Sequence, residues 1–185
     1  MDTGELIRSL TDELEQHTIE IRHEIHANPE LSFHEFATSR IVCRELDRIG
    51  VPYEESPCKP GIIATIDSGK PGKFLMLRAD MDALPIQEKT GLPFESKVPG
   101  VMHACGHDGH QAAAIGLAKF IHANAERLCG RIRFICQPAE EGSRGAYPIL
   151  QAGVLDDVDM IICGHIAPEL ELGTVVAAPR RLLST

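Results

Sequence analysis

Short runs of strand-forming apolar residues, separated by stretches of helical period, constrain the fold of this chain more than any other feature. The runs are Ile62–Ile66, Phe74–Leu77, Ile132–Cys136 and Met160–Cys163, with Thr174–Ala177 read the same way. Some are apolar at successive positions, which suits strands covered on both faces rather than half-exposed ones. Ser68-Gly69-Lys70-Pro71-Gly72 is a turn between the first two. Around them the period lengthens. Glu5–His26 repeats Leu6, Leu10, Leu14, Ile21 and Ile25 at helical spacing and is stopped by Asn28-Pro29. His34–Ile49 carries Ile41, Val42, Leu46 and Ile49 on one face, with Gly50 beyond its end. Further helices are expected over Gly109–Ala125 and Tyr147–Ala152. Residues 83–102 hold three prolines and no period, so a long irregular loop is expected there. Strands alternating with helices predict an α/β sheet covered on both sides, and such sheets take ligands beyond the carboxyl ends of their strands.

The length of 185 residues suits one domain at most. Hydrophobic residues at 43% and charged residues at 24% are ordinary for a globular protein. With 4% aromatics and no Trp, the core must be Leu, Ile, Val and Ala. Eighteen basic against 27 acidic residues give a net charge of −9, without any basic run, so neither nucleic acid nor an anionic membrane is expected as a partner. Met1 is followed by Asp2-Thr3-Gly4-Glu5, which has neither a basic nor an apolar signal region. A cytoplasmic location is therefore expected. The six cysteines, at 43, 58, 105, 129, 136 and 163, form no C-x-x-C pair and are expected to be reduced. Most are expected to be small buried hydrophobes, with Cys105 the exception.

The densest polar cluster is His103-Ala104-Cys105-Gly106-His107-Asp108-Gly109-His110. Four of the chain's nine His and six Cys fall within it, a concentration that suits metals favouring imidazole and thiolate. In an extended stretch His103, Cys105 and His107 would point the same way, and Gly106 and Gly109 would let the backbone bend around an ion. Other polar groups follow strand ends: Arg78-Ala79-Asp80-Met81-Asp82, Gln137-Pro138-Ala139-Glu140-Glu141-Gly142, and Gly164-His165. Four segments thus deliver carboxylate, thiol or imidazole to one edge of the sheet. Glu140 and Glu141 can be an ordinary solvated pair; in a Pro/Gly-bounded loop they can instead divide ligation from base chemistry.

Competing motifs fail. His23-Glu24-Ile25-His26 is one residue short of H-E-x-x-H and reads as surface. In Gly142-Ser143-Arg144-Gly145 the Ser directly follows the first Gly, unlike G-x-S-x-G. Neither a G-x-G-x-x-G motif nor a P-loop is present. A Cys105 thiol nucleophile near His107 remains open, although no orienting group or oxyanion hole is visible. His17, His34 and His122 fall in helix-like stretches and receive no role.

Taken in order, Arg78–Pro85, Met102–His110, Gln137–Gly142 and Gly164-His165, with His26-Ala27-Asn28-Pro29-Glu30-Leu31-Ser32 ahead of them, resemble the amidohydrolase branch of the aminoacylase/carboxypeptidase-type metallopeptidases. That branch holds hippurate hydrolases, N-acyl-L-amino-acid amidohydrolases, N-acetyldiaminopimelate deacetylases and auxin-conjugate hydrolases. The resemblance implies a three-layer helix/sheet/helix, zinc-peptidase-like α/β catalytic domain. It implies that Cys105, His107, Glu141 and His165 ligate two divalent ions (Zn, Mn, Co or Ni), that Glu140 is the general base, and that Asp80 orients the site. The implied reaction is hydrolysis of the amide bond of a small N-acyl amino acid or related conjugate.

Members of that family continue into a lid or dimerisation domain and a returning second half that supplies one more His ligand, and the full-length proteins are expected to be homo-oligomers. Residues 1–185 are therefore expected to be the N-terminal portion of the catalytic domain, ending near Pro179–Thr185 with Arg180-Arg181 where smaller or less charged residues are expected. A sheet without returning strands would expose an edge and an apolar face. Two rival readings stay open: a catalytically incompetent metal-binding fragment or subunit, and a metal-free cysteine-nucleophile hydrolase.

Overall fold

The computed structural model describes residues 3–142 and 144–177. Helix α1 spans Thr3–His26 and helix α2 Phe36–Ile49, followed by strands β1 (Tyr53–Glu55), β2 (Ile62–Asp67) and β3 (Phe74–Asp80). Helix α3 (His107–Ala123), strand β4 (Arg131–Gln137), helix α4 (Ala146–Gln151) and strand β5 (Met160–Cys163) complete the order. The expected helices and four of the five expected strands are present, with shifted ends.

The ends have local causes. Asn28 closes α1, its side-chain amide donating to Glu24 O at 2.8 Å ahead of Pro29. Phe33, at φ +65°, delays α2 from the expected His34 to Phe36. The second and third backbone N–H groups of α2 are taken by Glu30, which accepts from Ala37 at 2.8 Å and Thr38 at 2.9 Å. Gly50, at φ +74°, ends α2 in the left-handed cap expected of it.

The sheet order is β1-β2-β4-β3-β5, with β4, β3 and β5 parallel and β2 antiparallel to both β1 and β4. Strand β3 therefore lies between the two strands that follow it. The chain leaves β3 through α3 to one side and comes back through α4 to the other. Crossovers of one hand running in opposite directions must place their helices on opposite faces. The core divides accordingly. Ala112, Ile115, Ala118 and Ile121 of α3 join Ile21, Ile25, Val42 and Leu46 of α1 and α2 over Ile62, Ala64, Phe134 and Cys136. On the other face Ile149 of α4 packs on Ile63, Met76 and Ile135. Alternation along β2 and β4 sends successive side chains to the two clusters. The result is helix/sheet/helix, with β3 at the point where the order reverses, which is where such sheets open a crevice.

Several expectations are corrected. Thr174–Ala177 forms no strand; it finds no ladder partner among the described residues, and its apolar side chains are exposed. Strand β1 was not foreseen, because three exposed residues leave no alternation and its pairing with β2 is made by backbone. Strand β5 is not covered on both faces: among the described residues it is one of the two edges of the sheet, and Met160, Ile161 and Ile162 are exposed. His26 is buried rather than on the surface, as is Ile25. Of the cysteines, Cys58 and Cys136 are buried, but Cys129 and Cys163 are exposed; all six are free thiols. The side chains of Leu6 and Leu10, together with Ser143 and Pro179–Thr185, lie outside the described residues. Among those described, no helix is long and apolar enough to cross a membrane.

Candidate metal centre

The segments after β3, β4 and β5 meet the start of α3 at the carboxyl edge of the parallel strands, as the motif positions predict. Donor atoms of Cys105, His107 and His165 lie within 4.8 Å of one another; so do those of His107, Glu140 and Glu141, and those of Asp80, His107 and His110. His107 is common to all three groups.

His107 is fully buried at the first turn of α3. Its Nδ1 donates to the backbone carbonyl of Asp82 at 2.8 Å, and Asp82 Oδ1 stands 3.4 Å from the same nitrogen. That contact fixes the tautomer and leaves the Nε2 lone pair facing the centre. Among the described residues Nε2 has no hydrogen-bond partner, with Asp80 Oδ2 at 3.8 Å and Glu141 Oε1 at 3.9 Å. A buried imidazole nitrogen without a partner is costly unless something else occupies the position. Burial pushes the His107 imidazole down, but the Asp82 and Asp80 carboxylates outweigh it and leave it raised. The field at Nε2 is therefore one that attracts a cation. Thiol, imidazole and carboxylate in this set fit a borderline divalent ion.

The loop carrying Glu140 and Glu141 is gripped by Asp82. Its Oδ1 accepts the backbone N–H of Glu140 at 3.0 Å, and Oδ2 accepts that of Glu141 at 2.9 Å and the Ser32 hydroxyl at 2.8 Å. Burial pushes the Asp82 carboxyl up, and the bonds from His107, Glu141, Ser32 and Glu140 overcome it and hold the group down at about 2. Asp82 therefore stays ionised and orders both sides of the centre.

Asp80, the acid singled out in the sequence, plays a different part. The Arg78 guanidinium pairs with its Oδ1, while Oδ2 lies 3.4 Å from His110 Nδ1. His110 Nε2 accepts the backbone N–H of Ile166 at 3.1 Å, which ties the loop holding His165 to α3. Gly106 and Gly109 make the close approach possible: a Cβ on either would come within 2.9 and 2.7 Å of Ile166 Cδ1. Cys105 Sγ lies 3.4 Å from His165 Nε2. Burial, followed by Glu141, Glu140 and Asp80, pushes the Cys105 thiol up to about 12, the reverse of what activates a free thiol nucleophile.

All the residues expected to act, Glu140, Asp80, Cys105, His107, Glu141 and His165, thus converge. The extended alternation of His103, Cys105 and His107 does not hold. The chain turns at Ala104-Cys105, Gly106 adopts φ +89°, and His103 is buried and belongs to none of the three donor groups. Asp82 and His110 carry no expected role from the sequence; the D-x-D period, which puts Asp80 and Asp82 on one side, is the signal that points to the first. His26 was dismissed, yet its Nδ1 lies 2.9 Å from Asp108 Oδ2 and its Nε2 3.1 Å from Glu88 Oε1, anchoring the start of α3.

Known proteins resemble the chain over most of its length. The chain is 42% identical over its whole length to thermostable carboxypeptidase 2 of Saccharolobus solfataricus, of which it covers 48%. It is 43% identical to an N-acyl-L-amino acid amidohydrolase of Geobacillus stearothermophilus, with 97% of this chain and 50% of that protein aligned. A solved Bacillus subtilis structure, described as a dinuclear metal binding peptidase of the M20 family, superposes with a TM-score of 0.83 at 44% identity, covering 86% of this chain and 45% of that one. The chain spans about half the length of the curated relatives it matches. Residues 76–180, which hold every residue of the centre, match the model of peptidase family M20/M25/M40, and the chain belongs to that family.

Proposed function

We propose that residues 1–185 form the N-terminal portion of the catalytic domain of a metal-dependent amidohydrolase that cleaves the amide bond of N-acyl amino acids or related conjugates. The observation that carries this reading is the buried His107 Nε2, locked by Asp82, without a hydrogen-bond partner among the described residues and facing Asp80 and Glu141. The relatives' names supply the substrate class: an N-acyl-L-amino acid amidohydrolase and an N-acetyl-L-cysteine deacetylase are both over 40% identical to the chain.

Cys105, His107, Glu141 and His165 would hold two divalent ions drawn from Zn, Mn, Co or Ni. Such ions supply Lewis-acid polarisation of the amide carbonyl and acidify the attacking water. Glu140 takes the proton of that water on its carboxylate and passes it to the leaving amine nitrogen. Asp82 holds His107 and the Glu140-Glu141 backbone in place, and His110 holds the His165 loop. Asp80, paired with Arg78, directs His110. The whole protein is proposed to be a cytoplasmic homo-oligomer.

The test is amino acid release from N-acetyl amino acids by the purified chain, after EDTA dialysis and after each ion is restored. Loss with EDTA and recovery with a divalent ion is the expected result. Activity that survives EDTA would favour the Cys105 thiol instead. Stoichiometric metal without turnover would identify a binding fragment.

A further inference from the structure

Glu35 is a completely buried carboxylate at the start of α2, with no part in the chemistry above. Its position suggests a helix cap, yet its side chain makes no cap hydrogen bond, and the second and third α2 N–H groups are taken by Glu30. The Glu35 carboxylate reaches elsewhere: Oε1 accepts the backbone N–H of Ala139 at 2.8 Å, across 104 residues of chain. Burying an ionisable group is costly, so the contact that compensates it marks where the group acts.

Ala139 is an unusual residue to find there. It has φ +55° and no exposed surface. A residue with a Cβ adopts that left-handed backbone only where its surroundings impose it. On one side the turn is closed by Gly145, whose N–H donates to Ala139 O at 2.9 Å and whose absent Cβ would fall 1.8 Å from Pro138 O. On the other side three successive N–H groups are each held by a carboxylate: Ala139 by Glu35, Glu140 by Asp82 Oδ1, and Glu141 by Asp82 Oδ2. Asp82 fixes the two acids, and Glu35 fixes the strained residue from which they project.

We infer that Glu35 is a positioning residue, which sets the direction of Glu140 and Glu141 by holding the Ala139 N–H in the left-handed turn. It belongs to none of the candidate metal-donor groups among the described residues and acts through the backbone. The inference rests on the roles proposed above for Glu140 and Glu141, but its first readout does not.

The experiment uses the whole chain with Glu35→Ala, Glu35→Gln and, as a control for general destabilisation, Ile135→Val in the adjoining core. Amide hydrogen exchange followed by mass spectrometry reports on the 137–142 segment without metal, and Co(II) titration reports on affinity. Glu35→Ala should speed exchange in that segment about tenfold or more relative to the control. It should also weaken Co(II) binding about tenfold. Glu35→Gln keeps the acceptor oxygen and should restore both. Exchange in 137–142 that is unchanged in Glu35→Ala, that rises no more than in Ile135→Val, or that Glu35→Gln fails to restore, overturns the inference. If exchange responds as expected while even the wild-type chain binds no Co(II), the positioning role stands and the metallohydrolase reading fails.

Discussion

Asp82 holds His107 through its main chain: the Asp82 backbone carbonyl accepts from His107 Nδ1 at 2.8 Å, at the point where β3 has ended and α3 begins. A backbone acceptor cannot rotate away, so the tautomer that presents Nε2 is built into the fold. The Asp82 carboxylate adds the second half of the arrangement by gripping the backbone of Glu140 and Glu141. One residue thus sets the distance between the imidazole and the acids.

Asp82→Ala should therefore retain the His107 tautomer and lose the acid loop. Two part-buried N–H groups and the Ser32 hydroxyl lose their acceptor, at a cost of about 3 kcal/mol in unfolding free energy. Zinc affinity should fall about 10- to 100-fold. Asp82→Asn keeps one acceptor oxygen and should fall between. Equilibrium urea unfolding and competition with a chromophoric chelator measure the two quantities, and wild-type affinity in Asp82→Ala would remove Asp82 from the centre.

Glu140→Gln should bind metal as the wild type does and lose turnover by about 10²- to 10⁴-fold, since an amide cannot carry the proton from water to amine. The backbone N–H that Glu140 gives to Asp82 is unaffected by the change, so the loop should stay in place. Elemental analysis beside the N-acyl amino acid assay separates the two effects. Full activity in this variant would sink the assignment of Glu140 as base.

Cys105→Ala should lose metal. The sulfur stands 3.4 Å from His165 Nε2, and His165 is exposed, so without the thiolate the outer side of the centre keeps only a solvent-exposed imidazole. Metal content by elemental analysis after dialysis against a weak chelator should drop about tenfold or more. Unchanged occupancy would make Cys105 a structural residue.

What could be read from the sequence follows what side-chain chemistry reveals without knowledge of direction. Ile62–Ile66 and Ile132–Cys136 announce buried strands because apolar runs with turn residues beside them have few other uses. Cys105, His107 and His165 stand out because thiol and imidazole are uncommon. Acids are common, so Glu35 looks like any solvated carboxylate, and even the D-x-D period that pairs Asp82 with Asp80 leaves open what Asp82 grips; the path of the backbone shows that both face N–H groups. His26 misleads for a related reason. It follows Ile25 on α1, and nothing in the helical period says that Asp108 and Glu88 will close over it. Likewise Thr174–Ala177 has strand composition but no neighbour to pair with among the described residues, and composition cannot supply a neighbour.

The buried His26 gives the fold a dependence on pH with a definite sign. Its hydrogen bond to Asp108 raises its pKa above the ordinary histidine value; burial opposes this, and Glu88 adds to it. A group whose folded pKa exceeds its unfolded one contributes stability that is fully present below the unfolded value, about 6.5. That contribution is lost as pH rises through the higher folded value. Asp108 and Glu88 are both held below their usual range, so they remain ionised partners throughout that window. The wild-type slope alone does not isolate His26, because His107 is also raised and Glu35, pushed up to about 7 by burial, gives the same sign. The difference from His26→Gln does isolate it. In metal-free protein, urea unfolding should show His26→Gln less stable than wild type by about 1–3 kcal/mol near pH 6. The gap should narrow as pH rises towards about 9. A gap that stays constant over that range would show that the imidazole is neutral in the folded protein and that its link to Asp108 is an uncharged hydrogen bond.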